Sequence, residues 1–151
     1  MNIKTIRFGA LLTLYNGIYA IIYGVLMLIF GKIIIAEYFR KNPIPWSLFT
    51  VNFQYPAKLY YSLILSHGFL LISLGIFIIY LSYFILKRKD KLAWAVLFSS
   101  GVISWASLFI IHVIIGSLII TVLSFIGWVS FIIGMIIPIK YYIRKEYPGF
   151  L

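Results

Sequence analysis

The chain contains two histidines, His67 and His112, and each stands within a long apolar stretch. His67 lies 22 residues before Lys89, the middle of the charged segment "KRKDK", and His112 lies 23 residues after it. If a helix reaches that segment from each side, both imidazoles are about 33–35 Å from it at 1.5 Å per residue. The spacing therefore predicts two imidazoles at the same height on neighbouring helices. Axial ligation of a bis-histidine haem b, or a two-histidine metal site, requires such an arrangement.

A structural role explains the same two residues. A histidine near the end of a spanning helix often reaches interfacial water, and His112 stands four residues before a predicted turn at Gly116. An imidazole between helices can also hydrogen-bond a neighbouring helix. Haem ligation and hydrogen bonding are therefore both open interpretations of the sequence.

Acid–base and nucleophilic chemistry lacks its usual residues. The acidic residues are Glu37, Asp90 and Glu146, all at or beyond the ends of the apolar stretches, so no carboxylate is expected within a membrane to act as a general base. Cysteine is absent, which removes disulfides, iron–sulfur clusters and Cys-ligated zinc. The chain has no Gly-rich phosphate loop, HExxH motif or G-x-S-x-G motif. We therefore assign no catalytic residue and no separate metal site, and we expect a protein that is not an enzyme.

The composition indicates an integral membrane protein, since 64% of the 151 residues are hydrophobic and 11% are charged. The longest uncharged stretch, 48 residues from Leu92 to Ile139, would be about 72 Å long as one helix, so it must fold back near Gly116 and Ser117. The predicted fold is a single all-α integral membrane domain over residues 1–151, a four-transmembrane-helix antiparallel bundle. Its spans lie at about 6–36, 58–86, 92–115 and 118–140, with an outer loop at 37–57 and a cytoplasmic loop at 87–91.

The basic residues predict an orientation for these spans. Nine lysines and arginines fall on the side of the termini and the 87–91 loop, and four fall on the other side. Both termini are therefore predicted to be cytoplasmic, in a multi-pass protein of the cell membrane. The net charge of +10 lies at the ends of the apolar stretches, which indicates contact with anionic lipid headgroups and no nucleic-acid partner.

Small residues recur at heptad spacing along the predicted spans, a pattern that allows neighbouring helices to approach closely. The candidate packing glycines are Gly17, Gly24, Gly31, Gly68, Gly75, Gly127 and Gly134. Serine stripes occur on spans two and three, at Ser62, Ser66 and Ser73 and at Ser100, Ser104 and Ser107. These stripes predict further close contacts, within the chain or with a partner.

Tyr15, Tyr19 and Tyr23 lie four residues apart on the first span and so share one face. Their hydroxyls need partners at membrane depth, and the serines are available for this. The tyrosine row is expected either to hydrogen-bond neighbouring helices or to line a pocket for a lipid or a quinone between spans one and three.

The sequence thus favours a small, non-catalytic accessory subunit that packs against larger partners in a respiratory or transport complex of a prokaryotic membrane. The expected partners are the lipid bilayer and other membrane subunits or further copies of the chain. Two alternatives stay open. One is an electron-transferring b-type cytochrome with haem b held by His67 and His112, and the other is a lipid- or quinone-binding membrane protein.

Overall fold

Helices make up nearly all of the described chain. The computed structural model describes residues 3–41, 43–88 and 90–143, and no strand occurs within these ranges. The helices are α1 (Ile3–Tyr38), α2 (Trp46–Asn52), α3 (Gln54–Arg88), α4 (Lys91–Ile115), α5 (Leu118–Ile136) and α6 (Ile139–Ile143), and a 3₁₀ turn occupies Phe39–Lys41. The prediction of an all-helical chain is confirmed for these residues.

Four of the helices are long and apolar enough to cross a bilayer. The four segments are Ile6–Tyr38, Gln54–Ile85, Lys91–Ile115 and Leu118–Ile136. They contain 19 to 33 residues each, which meets the requirement of roughly 20 apolar residues for a spanning helix. In the part of the chain that the structure describes, the prediction of four candidate membrane spans is confirmed.

The segment between the first two spans is more helical than the sequence indicates. α2 lies within it, and α3 begins at Gln54, four residues before the predicted second span. Pro56 is compatible with this start because a proline in the first helical turn lacks only an N–H that would have no partner there. Aromatic rings cluster around α2, with the centroids of Phe39 and Phe49 4.8 Å apart and those of Phe39 and Trp46 5.1 Å apart.

Two local signals set the ends of α4. The Asp90 carboxylate accepts hydrogen bonds from the backbone N–H groups of Leu92 (2.8 Å) and Ala93 (3.1 Å), which caps the first turn. At the other end, Gly116 has a φ of 77°, a left-handed conformation that glycine adopts without a steric penalty. The Gly116 N–H donates to the carbonyl of His112, and only two residues separate α4 from α5.

The contact between α1 and α3 is the most extensive between any two helices. Gly17 and Gly24 of α1 meet Gly75 and Gly68 of α3, respectively. A Cβ atom on Gly75 would lie 2.6 Å from the carbonyl oxygen of Gly17, and one on Gly24 would lie 2.6 Å from that of Gly68. Only glycine therefore allows the two backbones to approach this closely.

Glycines on α5 accommodate larger groups of α4 and α1. Gly127 lies against the indole of Trp105, where a Cβ atom would be 2.3 Å from two ring carbons. Gly134 lies against Thr13 and Gly9 of α1. Trp105 is fully buried in this position. In contrast, α3 and α4 make the least extensive contact among the spans that adjoin one another.

Candidate functional site

A buried amide connects three of the spans. Asn16 of α1 donates through Nδ2 to the carbonyl of Gly127 (2.7 Å) and to Oγ of Ser130 (2.9 Å), both on α5. Its Oδ1 accepts from Nε1 of Trp105 on α4 (3.0 Å). The amide thus uses both of its polar atoms, as a buried polar group must. The spacing of residues along α1 does not indicate this role of Asn16, because its partners lie 89 to 114 residues away along the chain.

A second buried network surrounds the Ser124 hydroxyl on α5. This hydroxyl donates to the Ile120 carbonyl (2.8 Å) and lies 2.5 Å from Nδ1 of His112 and 3.3 Å from the Tyr23 hydroxyl. A serine hydroxyl has a single proton, so when Ser124 donates to Ile120 it accepts from its other two neighbours. In that arrangement His112 is the tautomer with a proton on Nδ1, and its Nε2 carries a lone pair.

The structure separates the three tyrosines of α1. The Tyr19 hydroxyl donates to the Leu123 carbonyl on α5 (2.8 Å), and its ring stacks on Trp105 at 6.0 Å. Tyr23 belongs to the Ser124 network, whereas Tyr15 is 64% exposed. Tyr19 and Tyr23 thus hydrogen-bond a neighbouring helix. None of the three tyrosines lines the cleft between α3 and α4. A lipid or quinone pocket lined by these tyrosines stays a prediction.

The two histidines lie side by side on α3 and α4. Their ring centroids are 6.4 Å apart, with an angle of 43° between the ring planes. His112 is fully buried, with 1% of its surface exposed, while His67 is half-buried. The two histidines, predicted to lie at one height, are thus neighbours, and haem ligation by them stays a prediction.

A cleft of about 520 Å³ lies between α3 and α4 and is partly open along one side. It runs from His67 to Phe77 along α3, about three helical turns or roughly 15 Å. Its lining residues are His67, Leu70, Leu71, Ser73, Leu74, Phe77, Ser100, Ile103, Ser104, Ser107, Leu108 and Ile111. The serine stripe of the third span and one serine of the second thus lie on the same cleft.

Sequence patterns indicate only the polar part of this lining. Serines at helical spacing mark a face of α4, but Leu, Ile and Phe on the same walls resemble every other apolar residue of the spans. Within residues 3–41, 43–88 and 90–143, no three His, Cys, Asp or Glu side chains come together. The chemistry of the site is therefore that of two imidazoles, several hydroxyls and an apolar cleft.

Comparisons with known proteins found no relative of this chain. No protein-family model, no curated protein and no solved structure matches the chain.

Proposed function

We propose that the chain is a small, non-catalytic membrane subunit that packs against a larger membrane protein along the α3–α4 cleft. The observation that supports this most directly is the difference between the α3–α4 contact and the other contacts between spans. Glycines and buried side chains close α1 against α3 and α5, and α4 against α5, whereas an opening of about 520 Å³ separates α3 from α4. We infer that one helix of the partner covers this opening.

The cleft lining favours a helix as the occupant. Ser100, Ser104 and Ser107 form one stripe of α4, and Ser73 lines the opposite wall. In lipid, helices associate through close packing of small residues, since apolarity does not distinguish a helix from the surrounding lipid. A helix 10–12 Å wide would lie along the mouth of the cleft and insert large side chains between the two serine-bearing walls.

We further propose that successive spans alternate in direction, with both termini cytoplasmic and the protein in the cell membrane. The glycine pairs support alternation for α1 and α3. Gly17 meets Gly75 and Gly24 meets Gly68, so residue numbers rise along one helix as they fall along the other. The excess of basic residues near the termini and the 87–91 loop supports the orientation.

Single cysteines can test this orientation because the chain has none of its own. In intact cells, a membrane-impermeant maleimide is expected to label Ser47→Cys on the exposed α2 and to leave Arg88→Cys at the end of α3 unlabelled. After permeabilisation, both variants should react. Labelling of Arg88→Cys in intact cells would contradict the cytoplasmic assignment.

The docking proposal predicts a cross-link that depends on position. Ile103 lines the cleft and Ile29 lies on α1 outside it, and both side chains are 67% exposed. In native membranes, a photocross-linker attached to Ile103→Cys is expected to capture one larger membrane protein, whereas the same reagent on Ile29→Cys is not. Adding Ser104→Phe, which fills the cleft, should reduce the yield on the order of tenfold, as a loss of about 1.4 kcal/mol in affinity would.

Three outcomes would contradict docking at the cleft. The first is equal capture from both cysteine positions, and the second is capture of lipid alone or of a second copy alone. The third is a protein that purifies from its native membrane in mild detergent as a monomer with no co-purifying partner.

A further inference from the structure

We propose that His67 and His112 together bind one copper(I) ion between α3 and α4, a function separate from the docking of a partner. The two rings come from different helices, at a contact where the Ser124 network already holds one of them. Three features support the assignment: the distance between the rings, the hydrogen bond behind His112 and the number of ligands available.

The ring separation fits two imidazoles on opposite sides of one ion. Metal–imidazole bonds are about 2.0–2.1 Å long for zinc, and a ring nitrogen lies about 1.1 Å from the ring centre. A linear arrangement thus places the ring centres about 6.2–6.4 Å apart, and the observed separation is 6.4 Å. A direct in-line hydrogen bond between imidazoles, with nitrogens about 2.9 Å apart, would place the ring centres only about 5.1 Å apart. The pair is therefore too widely spaced for that bond.

Each ring keeps one nitrogen available as a ligand. When the Ser124 hydroxyl donates to Ile120 and accepts the Nδ1 proton of His112, Nε2 of His112 has a free lone pair. A neutral His67 ring likewise has one N–H and one unprotonated nitrogen, and the latter can serve as a ligand. Metal-bound histidines commonly donate their second N–H, as His112 does to Ser124 in this arrangement, because the bond fixes the tautomer and the ring orientation.

The number of protein ligands selects the ion. No third His, Cys, Asp or Glu side chain joins the pair within the described ranges. A zinc site would then have only half of the four ligands that it usually takes. Copper binds imidazole well, and in its monovalent state it accepts two ligands in line.

A haem iron would use the same two nitrogens and would also need space for its macrocycle. A porphyrin between the rings would reach about one helical turn, roughly 5 Å, from the iron. Leu71 and Leu108 stand one turn from His67 and His112, are buried and line the cleft, whereas His112 does not line it. A bare ion needs no space at these leucines.

An ion at this position would join the two adjoining spans that make the least extensive contact. A ligand that binds only the folded protein stabilises it by mass action. Copper(I) binding should therefore raise the unfolding temperature of the protein, besides being measurable as occupancy.

The test uses the full-length protein, purified in detergent and titrated with copper(I) under reducing conditions in competition with a chromophoric chelator. We expect one ion per chain, a higher unfolding temperature and an X-ray absorption spectrum with two nitrogen neighbours. His67→Ala and His112→Ala should each abolish binding. Ser124→Ala should weaken it by about 10–100-fold, because it removes the group that orients His112.

Tyr19→Phe is the matched control. Its hydroxyl bonds the Leu123 carbonyl and neither histidine, so copper binding should equal that of the unmodified protein. If His112→Ala does not fold, the His67→Ala variant decides the outcome, because His67 is only half-buried. Full binding by folded His67→Ala, or no binding by the unmodified protein, would overturn the proposal. A haem Soret band that disappears in both histidine variants would also overturn it, in favour of haem.

Discussion

Replacing Asn16 with leucine is expected to lower the free energy of unfolding by about 3 kcal/mol. The two side chains are similar in size, so the change removes hydrogen bonds without opening a large cavity. Trp105 loses the acceptor of its Nε1 proton, the Ser130 hydroxyl loses a donor, and the Gly127 carbonyl keeps only Ser130 as a side-chain donor. Trp105 contributes the largest part of this loss, because a buried donor left without a partner costs about 1–3 kcal/mol. Thermal or denaturant unfolding in detergent, followed by tryptophan fluorescence, measures the effect.

Ser107→Ala is the control for this prediction. Its hydroxyl donates to the Ile103 carbonyl of its own helix, so its removal should change stability by less than about 0.5 kcal/mol. The double variant Asn16→Leu/Trp105→Phe should lose less stability than the sum of the two single variants. The reason is that Trp105→Phe removes the indole N–H that Asn16→Leu leaves unpaired. Strict additivity would show that the amide and the indole do not depend on each other.

Replacing Gly75 with alanine is expected to destabilise the α1–α3 contact by about 3 kcal/mol or to prevent folding. The added Cβ would lie 2.6 Å from the Gly17 carbonyl oxygen and 2.9 Å from the Ile21 backbone nitrogen. Backbone atoms in a helix cannot rotate away as a side chain can, so the two helices would have to separate. Separation would also disturb the Gly24–Gly68 approach on the same seam. The unfolding temperature and the fraction of monodisperse protein in detergent report the outcome.

Gly31→Ala tests the same substitution on α1, seven residues after Gly24 and also against α3. There the nearest atoms to a new Cβ are a methyl group of Ile64 at 3.2 Å and a ring carbon of Tyr61 at 3.6 Å. Both are ends of side chains and can yield, and alanine favours the helix by up to about 1 kcal/mol over glycine. We expect a neutral or stabilising change. Equal losses for Gly31→Ala and Gly75→Ala would refute the backbone-contact explanation.

The spans were predictable because their signal is local. The length of an apolar stretch and the positions of charged residues decide whether a helix can cross a membrane, and no partner is needed to evaluate them. The break near Gly116 followed in the same way, from a stretch too long for one crossing. The second span was predicted at about 58–86, whereas α3 begins at Gln54, because Pro56 lies in its first turn, where a proline is tolerated.

Side-chain partners were less predictable, as the tyrosines and histidines illustrate. Spacing placed Tyr15, Tyr19 and Tyr23 on one face of α1, but the rotation of that helix against α5 leaves Tyr15 exposed and buries Tyr23. Counting residues from Lys89 placed the two histidines at one height. It could not identify Ser124 as a partner of His112, because height along a helix says nothing about which helix lies beside it.

The sequence by itself determined the helical class, the number of candidate spans, the position of the acidic residues at or beyond the ends of the apolar stretches, and the absence of cysteine. These follow from composition and hydropathy, which can be evaluated for each segment of the chain without knowing its neighbours in space. Only the tertiary structure decided that α1 closes on α3 and α5, that α3 and α4 leave a cleft, and that His67 and His112 stand 6.4 Å apart. The physical reason is steric. Apolarity does not distinguish one of these helices from another, so the fit of glycines against backbone and of polar groups against partners selects the neighbours.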